Sequence, residues 1–207
     1  MKDLSILEKG IMDLIPLKIE GSWLAKSPVH SDERGNFREW FKAEDFKVAT
    51  KRNFSIAQAN VSTSSEGTIR GIHYSLAAIG QAKWVTCVAG RINDVIVDIR
   101  PDSPTYGSHQ VIELGEANGS AIYIGEGLGH GFIALEENTV VSYLISSAFS
   151  MHEEFEINPL DPALAINWGM STELLKLSKK DYEAPTLKQR YDDGELPKYI
   201  NLGVNNA

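Results

Sequence analysis

Residues 82–100, AKWVTCVAGRINDVIVDIR, hold two runs dense in Val, Ile, Thr and Trp, broken only at Ala89-Gly90-Arg91. β-Branched and aromatic side chains fit a pleated, half-buried surface, and glycine supplies the turn between them. Connections as short as this leave no room for crossover helices, so the sheets are expected to be antiparallel. The same pattern recurs on both sides, in TIRGIHY (68–74), HQVIELG (109–115), SAIYIGE (120–126), HGFIAL (130–135) and TVVSYLI (139–145). Gly, Pro, Asn and Ser fill the breaks, as in PDSPTYG and GEANGS. Many short strands at near-regular spacing predict a mainly β fold, a sandwich or barrel. Helical pattern is confined to the flanks, at 42–52 (KAEDFKVATKR) and 171–183 (STELLKLSKKDYE). Between the last strand and the second of these, the prolines of NPLDPALAINW favour an ordered extended loop. The polar tail, 191–207, is expected to cover the barrel or fray.

A chain of 207 residues with 43% hydrophobic content supports one compact domain with a single large core, and a two-domain reading is disfavoured. Twenty basic against 28 acidic residues give a net charge of −8, with no basic run to track a phosphate backbone. That argues against nucleic acid but leaves room for a small anion held by a few converging cations. The one cysteine, Cys87, excludes an intramolecular disulfide and any multi-cysteine metal site, and its apolar neighbours suggest a buried, inert thiol. The opening MKDLSILEKGIMDLIPLKIEG interleaves charges with apolar residues and has no signal-peptide core, and no apolar run is long enough to span a bilayer. A soluble, cytoplasmic protein is the expectation.

Strand parity picks out candidate site residues. Alternate residues share a face, so Ile69, Gly71 and His73 look one way while Arg70, Ile72 and Tyr74 look the other. Lys83 shares a face with Val85, Cys87 and Ala89, and Tyr143 with Val141 and Ile145. If the apolar members point inward, an imidazole, an ammonium and a phenol enter one cavity. A buried unpaired ammonium costs several kcal/mol, which calls for a partner or a role. Taken singly, each residue also has a plainer reading: Lys83 starting its strand and snorkelling to water, His73 hydrogen-bonded within the structure. GEGLGHGF (125–132) allows close backbone approach around His130, with no GK[ST] to make it a phosphate loop; a plain hairpin is the alternative. DERGNF (32–37) reads as a solvated loop or as an arm toward a partner subunit, whose Arg34 and Phe37 suit an anionic, flat-ringed ligand.

These stretches, with QANVSTSSEGTIRGIHY, QAKWVTCVAG, VIVDIRPDSPTYG, GHGF, LDPALAINW and LSKKDYEAP, resemble in order and spacing the dTDP-4-dehydrorhamnose 3,5-epimerases, dTDP-sugar epimerases of the cupin superfamily. The resemblance runs from about residue 15 to 198. It implies a cupin-type jelly-roll barrel (double-stranded β-helix) with short flanking helices, a homodimer, and no cofactor or metal. It further implies a 4-keto-6-deoxy sugar on dTDP as substrate, whose C3 and C5 hydrogens flank the ketone, so that removing either gives an enolate at O4. Such chemistry needs a base, a cation or donor at O4, and an acid on the opposite face.

By the same resemblance His73 is the base, Asp181 its carboxylate partner, Lys83 the group at O4, Tyr143 the acid, and His130 part of the sugar pocket. Arg70 and Arg34 would neutralise the diphosphate, Gln58 and Asn60 would hydrogen-bond the nucleotide, and Phe37 would stack on thymine from the partner subunit. Parity puts Arg70 and His73 on opposite faces, so for both to reach one ligand their strand must twist or end there. Two departures stand out: Phe149 occupies the place of a second tyrosine near the nucleotide, and INW replaces the usual IDW at Asn167. They leave open whether C3, C5 or both are inverted. Two rivals are weaker. A metal-dependent cupin would show HxH, but Ser75 stands two residues after His73. A non-catalytic sugar-nucleotide binder gives no reason to keep His73, Lys83, Tyr143 and Asp181 together.

Overall fold

The computed structural model describes residues 12–200; the opening eleven residues and the final NLGVNNA lie outside that range. In chain order the strands are β1 (Asp13–Pro16), β2 (Ser22–Lys26), β3 (His30–Asp32), β4 (Gly35–Phe37), β5 (Gln58–Ser64), β6 (Ile69–Ser75) and β7 (Lys83–Ala89). There follow β8 (Arg91–Asp98), β9 (His109–Gly115), β10 (Ser120–Ile124), β11 (Leu128–Ala134), β12 (Thr139–Ile145) and β13 (Glu154–Glu156). Three short helices, α1 (Ala43–Thr50), α2 (Lys179–Tyr182) and α3 (Leu187–Asp192), flank them.

Six strands form one antiparallel sheet in the order β1-β2-β10-β7-β12-β5, and five form a second in the order β13-β6-β11-β8-β9. Alternation along these strands sorts the apolar residues into three layers. Val85, Cys87, Ile122 and Val141 of the first sheet meet Ile92, Ile96, Leu114 and Phe132 of the second between the two sheets. Trp84, Tyr123 and Leu144 face outward from the first sheet and are covered by Phe46 of α1 and by Phe54. Ile69, Ile72, Val95 and Ile133 face outward from the second and are covered by Ile157, Leu164, Trp168 and Leu187. Each fully buried aliphatic side chain contributes roughly 1.5–3 kcal/mol, so both sheets are held on two faces. Cys87 is buried among them, and burial pushes its thiol up to about 11, far from a nucleophile's range.

The pairing of β6 with β11 corrects the strict parity expected for β6. His73 lies opposite His130 and Arg70 opposite Phe132, so Gly71 and Ile72 together face the single residue Gly131. This bulge resets the alternation. Ile69, Ile72 and Tyr74 all join the outer cluster, while Arg70 and His73 both turn to the pocket side. Gly71 has φ +129°, and a Cβ there would sit 2.4 Å from the Gly131 Cα. Gly71→Ala is therefore expected to cost about 3 kcal/mol from the positive φ and the clash. Differential scanning calorimetry should show Tm lower by roughly 6–12 °C, and catalysis should fall with it as Arg70 and His73 lose their common face.

The helix expected over 171–183 is not continuous. Thr172–Leu174 form one 3-10 turn, and the chain then extends so that Lys176 exchanges backbone hydrogen bonds with Gly67 and Ile69. Leu175 and Leu177 pack on the outer apolar cluster from this extended stretch. Tertiary pairing thus overrides helical propensity until Ser178 caps α2. The helix expected at 42–52 forms as α1. Before the tail, α3 begins in a capping box between Thr186 and Gln189; within the tail, the Glu195 carbonyl accepts the Tyr74 hydroxyl at 2.7 Å.

Candidate active site

One cavity of about 490 Å³ opens between the sheets, within the size range of small-molecule sites. His73, Lys83, Tyr143 and Asp181 all line it, as do Gln58, Asn60, Arg70, His130 and Phe149. Arg34 and Phe37 do not. They sit on the β3–β4 hairpin, where Phe37 is 66% exposed and Arg34 pairs with Asp32 at 2.5 Å.

β6 brings His73 to one wall, and α2 brings Asp181 beneath it. The His73 Nε2 and Asp181 Oδ1 are 2.7 Å apart. Burial pushes the Asp181 carboxyl up, but the hydrogen bond and charge of His73 and the Ser178 hydroxyl outweigh it, so the carboxyl settles below its ordinary range. An ionised carboxylate accepts, so the shared proton sits on Nε2 and the Nδ1 lone pair is left as the basic site. Ser178 donates to Asp181 Oδ2 at 2.9 Å and accepts the Asp181 backbone N–H at 3.0 Å, fixing the carboxylate on the first turn of α2.

The facing wall belongs to the other sheet. Lys83 on β7 is 7% exposed, and its Nζ reaches the His73 carbonyl at 3.4 Å. Tyr143 on β12 is held as a neutral phenol, because burial raises it and the Arg70 charge only partly opposes this. Arg70 is anchored at the mouth by Ser64 Oγ and the Thr63 carbonyl. Gln58 donates to Asn60 and accepts from the Phe149 backbone N–H, so the three form one polar edge with an exposed ring.

Sequence reasoning missed a second histidine–carboxylate pair. His130 lies 2.8 Å from Asp94 Oδ2, and Asp94 is fully buried on β8. A carboxylate in the apolar run of INDVIVDIR, on the inward face with Ile92 and Ile96, was the signal for it. Glu154 and Gln81, hydrogen-bonded at 2.8 Å in the same cavity, were also missed, since each lies in or beside a loop with no periodicity to betray it.

An imidazole–carboxylate dyad on one wall and an amine and a phenol on the other are groups able to move protons beside a carbonyl group. The family model described as dTDP-4-dehydrorhamnose 3,5-epimerase matches residues 16–189. The chain is 42% identical over 184 residues to the dTDP-4-dehydro-6-deoxyglucose 3-epimerase of Streptomyces bikiniensis, covering 89% of this chain and 93% of that one. It is 39% identical over 184 residues to the dTDP-4-dehydrorhamnose 3,5-epimerase of Streptomyces griseus, covering 89% and 91%. Among solved structures, NovW, a 4-keto-6-deoxy sugar epimerase from the novobiocin cluster of Streptomyces spheroides, superposes with a TM-score of 0.88 at 42% identity, over 91% of this chain and 94% of that one. The chain belongs to the dTDP-4-dehydrorhamnose 3,5-epimerase family: it is an isomerase on a mainly β, cupin-type barrel.

Proposed function

We propose that the protein inverts C3 and C5 of dTDP-4-keto-6-deoxy-D-glucose through enolate intermediates, giving dTDP-4-keto-L-rhamnose. The observation that carries this reading is the placement of His73 and Tyr143 on opposing sheets around one cavity that Lys83 also lines. Inversion requires that a proton leave one face of the sugar and return from the other. His73 Nδ1 takes the α-proton while Asp181 stabilises the imidazolium, Lys83 meets the charge growing on O4, and Tyr143 delivers a proton to the opposite face. Arg70 binds the diphosphate, Gln58 and Asn60 hold the nucleotide with Phe149 beside it, and His130 borders the sugar. Trapping the product by borohydride reduction tests the reading: sugars of the L-rhamnose configuration at C3 and C5 are expected, and recovered D-gluco configuration at both would defeat it. A second reading, inversion at C3 alone, is favoured by the 42% identity to a 3-epimerase; it yields the C3 epimer with C5 unchanged.

The site is completed, in this reading, by a second copy of the chain. Phe37 and Arg34 sit on an exposed hairpin outside the lining of their own cavity, and β5 ends its sheet with Val61 70% exposed. In a homodimer the hairpin of one protomer supplies a guanidinium and a stacking ring to the other. Mixing inactive His73→Ala protein with an Arg34→Ala/Phe37→Ala double variant, under subunit exchange, is expected to restore activity, because each mixed dimer holds one intact site. No recovery in demonstrably mixed dimers would overturn the arrangement. Among the described residues no helix is long and apolar enough to cross a membrane. The reading places the enzyme in the cytoplasm, where the unpaired Cys87 fits reducing conditions.

A further inference from the structure

Lys83 carries its charge in an unfavourable place. Among the described residues it makes no ion pair, and its one hydrogen bond is the 3.4 Å contact to the His73 carbonyl. An ammonium removed from water tends to release its proton, and a neutral amine would not match an enolate oxygen. The charged and titratable groups around it come from every neighbouring element: His73 and Arg70 from β6, Asp94 from β8, His130 from β11, Tyr143 from β12 and Glu154 from β13, with Asp181 and Lys180 from α2. Two of the three carboxylates are already engaged by imidazoles, Asp181 by His73 and Asp94 by His130. Glu154 has no cationic partner among the described residues. Its Oε1 instead accepts a hydrogen bond from Gln81 Nε2 at 2.8 Å, and Gln81, two residues before Lys83, is itself only 7% exposed. A neutral amide fixes a carboxylate in place without cancelling its charge. Glu154 is thus a carboxylate without a cationic partner among the described residues, held across the cavity that Lys83 lines by an amide two residues from Lys83.

We propose that Glu154, tethered by Gln81, is a positioning residue that keeps Lys83 in its ammonium form, so that the cation is in place before the enolate charge develops. Burial lowers the affinity of Lys83 for its proton, and Glu154, ahead of Asp94, opposes that loss. The inference rests on the role given to Lys83 above.

The test is carbon NMR of protein labelled at lysine Cε, with the Lys83 resonance assigned by its loss in Lys83→Met. In Glu154→Gln the Lys83 titration midpoint is expected about one pH unit or more below wild type, the size of shift a nearby charge produces. The alkaline limb of kcat should move by the same amount with KM little changed, and Glu154→Asp should restore most of the difference. Should Glu154→Gln fail to fold, Gln81→Leu frees the carboxylate and is expected to move the midpoint in the same direction by less. A Lys83 midpoint that stays at the wild-type value in the folded variants overturns the proposal. The titration needs no substrate, so that failure would leave the epimerase reading standing, whereas absent epimerisation would leave the titration unaffected.

Discussion

His73→Ala is expected to abolish hydrogen exchange at both C3 and C5, with kcat lower by roughly 10⁴-fold, the upper end of what a positioned base contributes. The dyad reserves Nδ1 for this one task. Nε2 is committed to Asp181 at 2.7 Å, and Asp181 is fixed in turn by Ser178, so the imidazole is held in one tautomer and one orientation. Binding should survive, because the groups assigned to the nucleotide and diphosphate lie on β5 and at the far side of the β6 bulge. Isothermal titration with dTDP checks this, and near-wild-type affinity with lost turnover is the expected pair of results. Near-wild-type turnover would remove His73 from the chemistry.

Lys83→Met should lower kcat about 10²–10³-fold, corresponding to a barrier higher by about 2.7–4 kcal/mol, the cost of losing one donor to a developing oxyanion. Methionine fills similar volume, so the apolar wall around Val85 and Ile145 stays packed and the loss reads the charge. The expected signature is a fall in kcat with KM nearly unchanged, because the interaction strengthens only as O4 becomes anionic. Little change in kcat would make Lys83 a structural residue. Stability is expected to rise slightly in the same variant, since a buried ammonium without an ion pair is replaced by an apolar side chain.

The central strands were legible in the sequence because both of their faces are buried, so they read as dense β-branched runs. β5 was not, for a physical reason. Its inner face carries Gln58, Asn60 and Ser62 toward the cavity and its outer face is exposed, so QANVSTS lacks the apolar alternation of a half-buried strand. The function of this strand hid its structure. The expectation that the strand at Arg70 and His73 must twist or end pointed to an irregularity, but only the pairing with Gly131 shows it to be a bulge and gives it a place, since register is set by the partner strand. Helical propensity over 171–183 yielded to long-range pairing with Gly67 and Ile69. Asp94 was visible as a carboxylate in an apolar run; its partner His130 was visible separately, and only the alignment of β8 with β11 joins them.

Proton NMR of dTDP-4-keto-6-deoxy-D-glucose incubated with the protein in heavy water, following C3 and C5 separately, reads the proton transfers themselves. Deuterium is expected to enter at both carbons with wild-type protein and at neither with His73→Ala; entry at C3 alone would select the mono-epimerase reading. No exchange at either carbon with wild-type protein, while dTDP-sugar binding is demonstrated, would contradict the proton-transfer role given to this cavity.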